Sequence, residues 1–409
     1  MKFKEIVGTY ILICLMLMCS GTVIFNVKYN SIFIPLFVVY SFCFAIITEQ
    51  GKLRVKKNEF ILFLIITCFI LASTVVYYHD GVAINGVVQK LFYLFGTWCA
   101  CKTITYKNYK DIYENIVVLM CVVAIIIQVL IIVGILSYQW TDINGRLFPL
   151  ALGHCVSWRS GNFYRLSGLY IEPGMFQIIV NIAIMYLIDD IQYVNEKKEK
   201  KRMVLFLGIC IVSVLMTLST TGYICLAILM VGGIVKIWKN ISNIVLKRAI
   251  VVLIPILIGS VIYKILKSNV IINKFASDNY SLLIRKNDVQ SGITLMFNKP
   301  ILGYGYGTKS LSAAFEKAGI ANISSGLVGE SISFGLIVVV TLIFLMLMNA
   351  KRCSRYVVLI SIAFYLIANM SESCLFFPVL LTFCFSFKRD QDYKLEDNLS
   401  KQICKSKLS

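Results

Sequence analysis

Apolar runs, most of them roughly 18 to 24 residues long, recur along the chain, and an α-helix of that length crosses a hydrocarbon layer of about 30 Å. They fall at 6–26, 31–48, 59–78, 83–101, 112–137, 174–189, 203–219, 221–238, 249–266, 326–349, 356–370 and 374–387. A membrane barrel would show segments of about ten alternating residues instead. The 409 residues are 58% hydrophobic and only 15% charged, whereas a soluble chain carries about a quarter charged residues. The expected fold is an all-α polytopic integral membrane protein of about 12 transmembrane helices.

A net charge of +19 invites a nucleic-acid partner, but its placement argues for topology. With the N-terminus inside, the clusters Lys2/Lys4, Lys52 to Lys57, Lys102 to Lys110, Lys197 to Arg202, Lys236 to Arg248, Lys351 to Arg355 and the tail from Lys388 to Lys407 all fall on one side. That is the positive-inside pattern, with both termini cytoplasmic and no nucleic-acid partner. The sequence has 14 cysteines, mostly single within apolar runs, where they act as small hydrophobes. Cys99 and Cys101 form a C-x-C with neither a second pair nor a nearby histidine, so a four-ligand metal site is not expected. No disulfide framework is readable. MKFKE and the run after it read as an uncleaved first span, because Met18 precedes Cys19 where a lipoprotein signal needs a small residue.

The tiling treats 1–409 as a single domain with two large outer loops, 137–173 and 267–325. The first holds Arg146, His154, Arg159, Arg165 and Glu172 among Trp140, Trp158, Phe163, Tyr164 and Tyr170. The second holds Arg285, Asp288, Lys299, Lys309 and Glu316 with Tyr280, Tyr304 and Tyr306. Arginine on the outer side runs against the topological bias, and a guanidinium bonds phosphate oxygens in pairs, so an anionic ligand is one reason for it. The aromatics fit two roles, stacking on sugars or anchoring at the membrane interface.

The stretch VIINKFASDNYSLLIRKNDVQSGITLMF reads as a helix lying on the membrane surface, stopped at Pro300. GYGYGTKS after it fails the spacing of a phosphate loop and lacks the Thr-Val of a potassium filter. Two readings stand for it: a turn whose N–H groups approach an anion, or a plain flexible turn.

RLSGLYIEPGMF, residues 165–176, resembles the R-x-S-G-x-x-x-E-P signature of O-antigen and capsular polysaccharide polymerases (Wzy-type), in the superfamily that also holds O-antigen ligases. NKPILGYGYGT resembles that superfamily's N-P-x-x-G-x-G-x-G element, and LSTTGY, residues 218–223, is similar to its short L-S-x-[ST]-[RG] turn. The resemblance implies a GT-C-like integral membrane glycosyltransferase of the bacterial plasma membrane. It would move a growing glycan from undecaprenyl diphosphate onto the next lipid-linked repeat unit, with no nucleotide sugar, metal or cofactor. A chain-length regulator and a flippase are the implied partners. Superfamily ligases carry a histidine before the span after the second loop. NISSGLVGE stands there instead, which favours polymerase over ligase.

The reaction needs cations aimed at the departing diphosphate and a group that takes the acceptor hydroxyl's proton. Arg165 and Arg285 are the candidate catalytic cations, with Arg159 accessory; snorkelling to headgroups is the alternative for each. Glu172 is the candidate carboxylate, or else the N-cap of the helix that Pro173 begins; Asp288, Glu330 and Glu372 are the other carboxylates, and His154 a further base. His154, Tyr170, Gly168, Asp288, Gly303, Tyr304 and Gly305 complete the candidate substrate-binding set. A lipid-linked oligosaccharide flippase would place charge inside the helices instead, where Lys90 and Glu330 are the main examples.

Overall fold

The structure, a computed structural model, describes residues 3–49, 55–143, 145–157, 164–191, 193–194, 196–238, 280–320, 323, 325–350 and 355–388. The fold is mostly helical: α1 (Phe3–Met18), α2 (Asn30–Glu49), α3 (Lys57–Val76), α4 (Ile84–Thr103), α5 (Tyr106–Ile132), α6 (Pro173–Asp190), α7 (Lys197–Met216) and α8 (Thr220–Trp238). After the gap come α9 (Tyr280–Asn298), α10 (Lys309–Lys317), α11 (Gly326–Phe334), α12 (Leu336–Ala350), α13 (Arg355–Ser371) and the single turn α14 (Pro378–Leu381).

Helices α2, α3, α5 and α6 are long and apolar enough to cross a membrane, with mean hydropathies from 1.2 to 3.0. Side chains on the outside of the bundle are apolar as well: Ile47, Val75, Leu119, Leu205 and Val231 are each more than half exposed. A surface of that kind suits lipid better than water, the surface expected of a membrane protein. Helix α6 differs, because 83% of its apolar window is buried inside the protein. It is the axis of one half of the bundle, enclosed by α5, α7, α8 and α13.

The end of the bundle that holds the basic sequence clusters Lys102 to Lys110 and Lys197 to Arg202 is tied by ion pairs. At the basic end, Lys102 in the last turn of α4 pairs with Glu59 in the first turn of α3 and donates to the carbonyl and hydroxyl of Ser386 at 2.9 and 2.6 Å. Lys110 of α5 pairs with Asp190 and, at 3.3 Å, with Asp189, both closing α6. Residues 102–110 and 197–202 thus share one end. The opposite end carries the loops.

Four expectations need correction. The fold is not all-α: the first loop folds into a four-stranded antiparallel meander, β1 (Gln139–Ile143), β2 (Arg146–Ala151), β3 (His154–Ser157) and β4 (Arg165–Leu166). Pairing Trp140 with Pro149 and Asp142 with Leu147 puts Ile143, Phe148 and Leu150 on the other face, where they pack on Val23, Cys155 and Ile171. The dipeptide Asn144–Gly145 between alternating apolar residues was the hairpin signal.

The run 6–26 ends as an α-helix at Met18; Val23 instead donates to the carbonyl of Leu169 at 2.9 Å, tying the chain to the first loop before a π-helix, Val23–Lys28. The run 326–349 is broken at Gly335 into α11 and α12. The run 374–387 forms only the turn α14, because a 14-residue helix would rise about 21 Å, short of a full crossing. Its backbone passes in turns from Glu372 to Lys388 with Leu375, Phe376, Leu380, Leu381 and Phe385 buried, a path that lipid permits only inside protein. The expected span 249–266 lies outside the described residues.

Candidate functional site at the loop-bearing end

Segment 165–176 is stitched in place from both sides. The main chain of Gly168 accepts from Cys155 N at 2.8 Å, and Ile171 N donates to Gly21 O at 3.2 Å. Arg165, half-buried on β4, donates from Nε to the carbonyl of Thr217 at 3.0 Å. That carbonyl closes α7, in a turn held by Ser219 Oγ accepting from Gly222 N at 3.3 Å and by Tyr223 Oη donating to Leu215 O at 2.8 Å. RLSGLYIEPGMF and LSTTGY are therefore brought side by side, because Arg165 bonds the residue that precedes Leu218.

Tyr170 is corrected: it is wholly buried, with its ring 5.8 Å from that of Phe176, so it supports the loop from within and offers no face to a ligand. Glu172 occupies the N-cap position of α6, yet its side chain makes no capping bond; its carbonyl takes Met175 N and Phe176 N at 3.1 and 3.2 Å. The carboxylate is exposed at the surface beside the sheet. Burial first, and then the charge of Glu172, raises the thiol of Cys155 to about 11. His154 on β3 is half-buried, its Nδ1 lies 3.3 Å from Leu152 O, and burial lowers its pKa.

Glu372, between α13 and α14, reaches the same place. Its carboxylate lies over Gly174, where a β-carbon would collide with Oε1, and its main-chain oxygen accepts from Gly326 N at 3.1 Å. One residue thus joins the first turns of α6 and α11, the helices that follow the two outer loops.

The second loop closes the break in its own span. Tyr304 N donates to Ile332 O at 2.8 Å, Gly305 N to Ser333 O at 3.0 Å and Leu336 N to Pro300 O at 2.7 Å. The groups freed at Gly335 are thereby satisfied, as membrane depth demands. At Gly303, φ is +67° and a β-carbon would strike the backbone of Ile332 and Ser333. The expectation that N–H groups here approach an anion is corrected for Tyr304 and Gly305, since both donate to carbonyls. Gly303 serves close docking of backbone on backbone, while Gly305 makes room for the side chains of Tyr77 and Thr308. Lys299 follows α9 and donates to Tyr77 Oη at 3.1 Å, 4.5 Å above the ring of Tyr304, a contact that sequence gave no sign of.

Lys90 of α4 stands beside this dock. It pairs with Glu330 of α11 and lies 4.7 Å from the ring centre of Tyr306, 5.1 Å from Phe376 and 5.8 Å from Phe334. Asp288 of α9 is buried. Arg285 belongs to α9 with its side chain outside the described residues, and Arg159 lies outside them altogether. Among the described residues no group of three or more His, Cys, Asp or Glu could hold a metal ion. Comparison of the chain with protein-family models, curated proteins and solved structures gives no match.

Proposed function

We propose that this chain is a membrane glycosyltransferase that joins lipid-diphosphate-linked oligosaccharide repeat units into a surface polysaccharide. The observation that supports it most is the bond from Arg165 to Thr217 O, which ties RLSGLYIEPGMF to the residue immediately before LSTTGY. In this reading the loop-bearing end faces outward, in a bacterial plasma membrane with both termini inside. The guanidinium of Arg165, held at Nε, stabilises the departing diphosphate, with Arg285 and Arg159 as further cations from the loops. Glu172, exposed at the start of α6, takes the proton of the attacking hydroxyl, and Glu372 is the second carboxylate of that neighbourhood.

Deletion of the gene followed by gel analysis of surface glycan tests the reading. Loss of a polymerase leaves single repeat units attached, and an unchanged ladder of chain lengths rejects it. Long chains left unattached would indicate a ligase. The buried pair Lys90–Glu330 favours a second reading, a flippase of lipid-linked oligosaccharide, because charge within a span commonly lines a transport path. Its loss would leave no glycan outside and the lipid-linked unit trapped within.

A further inference from the structure

Among the described residues two buried lysine–glutamate pairs differ in one respect. At the basic end every donor and acceptor is used: Lys102 bonds Glu59 and both oxygens of Ser386, while Glu59 Oε2 accepts from Ser386 Oγ at 2.5 Å and Ser386 N at 3.3 Å. At the loop-bearing end the same pair is incomplete. Among the described residues Glu330 Oε1 is the only acceptor for the three donors of Lys90, and Glu330 Oε2 is buried with no partner. Three aromatic rings stand around the ammonium, with centres 4.7, 5.1 and 5.8 Å away. Attraction to a ring face leaves N–H donors without oxygen acceptors, and burying an ion pair costs several kcal/mol per ion unless such bonds complete it.

The surroundings point the same way. The pair sits against the break at Gly335, where a span divides into α11 and α12, and discontinuous helices in membrane proteins gather at binding sites. Glu330 is 5% exposed, so the pair is held out of bulk water. Tyr306 comes from the second outer loop, Phe334 from α11 and Phe376 from the segment after Glu372, so three separate parts of the chain converge on Lys90.

We propose that Lys90 is the seat of a binding site for a phosphate group carried on an apolar chain, with Glu330 its displaceable counter-ion. The phosphate's oxygens supply the acceptors that Lys90 lacks, and the aromatic walls contact the apolar carrier. The choice of carrier rests on the polymerase reading; the phosphate chemistry rests on the unfilled donors. Lys90 belongs here to binding, and no covalent step is assigned to it.

This arrangement gives the two members of the pair opposite effects. The test is binding of farnesyl diphosphate to the purified full chain in detergent, with inorganic pyrophosphate and phosphatidylglycerol as competitors. The double variant Lys90→Met/Glu330→Leu removes both charges and keeps an apolar interior, so it is expected to fold. It should bind farnesyl diphosphate about tenfold more weakly or worse, and Glu330→Gln should bind at least as tightly as the natural chain. Competition by pyrophosphate alone, or by phosphatidylglycerol, would keep the site and name a free phosphate or a lipid headgroup as its source. The proposal is overturned if the natural chain binds none of the three, if the double variant binds like the natural chain, or if Glu330→Gln weakens binding as much as the double variant. Binding through Lys90 with an unchanged glycan ladder after gene deletion would keep this site and reject the polymerase reading; the reverse pair of results would do the opposite.

Discussion

The carboxylate of Glu372 occupies the space that a side chain on Gly174 would fill. The two residues belong to different halves of the sequence, and their contact brings the ends of both outer loops to one point. The obstacle to a larger residue is the tip of a side chain, not backbone. Gly174→Ala should therefore leave membrane insertion normal and shift stability by no more than about 1 kcal/mol, while displacing the carboxylate. Under the proposed function, its glycan ladder should shorten as much as that of Glu372→Gln, measured on surface glycan beside a detergent melting curve.

Gly303 meets a different obstacle. Its positive φ and the main chain of Ile332 and Ser333 leave no room for a β-carbon, and backbone cannot swing away as a carboxylate can. Gly303→Ala should cost about 2–4 kcal/mol and open the dock over the Gly335 break. Size-exclusion chromatography of a fluorescent fusion should show less monodisperse protein than for Gly174→Ala.

Arg165→Lys keeps the charge but loses the planar fork that bonds Thr217 O through Nε. If the polymerase reading holds, both Arg165→Lys and Arg165→Ala should reduce polymer by tenfold or more, on the order of one lost charge-stabilising donor. Full-length chains from a normally inserted Arg165→Ala protein would remove Arg165 from the catalytic set.

The Lys102–Glu59–Ser386 network should behave as structure alone. Glu59→Ala strands a buried ammonium and should cost about 3–5 kcal/mol, whereas Lys102→Met/Glu59→Leu should recover most of it. Thermal unfolding in detergent reads the difference, and the glycan ladder of the double variant should be unchanged.

His154 gives the sheet a pH dependence. Burial lowers its folded pKa, so the unfolded loop binds a proton more readily. Its contribution is present above the unfolded value, about 6.5, and is lost as pH falls through the lower folded value. Hydrogen exchange of β2 and β3 should quicken on acidification from about pH 7.5 to 5, and His154→Gln should flatten that response.

Much of the bundle was legible because a membrane span is written within a single window of sequence. Helices α2, α3, α4 and α8 follow their apolar runs to within a few residues. The sheet has little local signature: the dipeptide Asn144–Gly145 between alternating residues is its one sign in a loop dominated by aromatics and arginines. Tyr170 looked like a loop aromatic among others; its bridge to Thr22 and its packing on Phe176, neither marked by local pattern, put it inside. Glu330 and Lys90 stood out as charges in greasy runs, but their partnership required α4 and α11 to be neighbours.

Sequence by itself determined where the apolar helices of the bundle fall, because hydropathy acts along short lengths of chain. Tertiary structure alone decided that Arg165 meets Thr217, that Glu372 lies over Gly174 and that Lys90 faces Glu330 with donors unfilled. Those contacts depend on which helices pack together, and helix packing is settled by the fit of whole surfaces far apart in the chain.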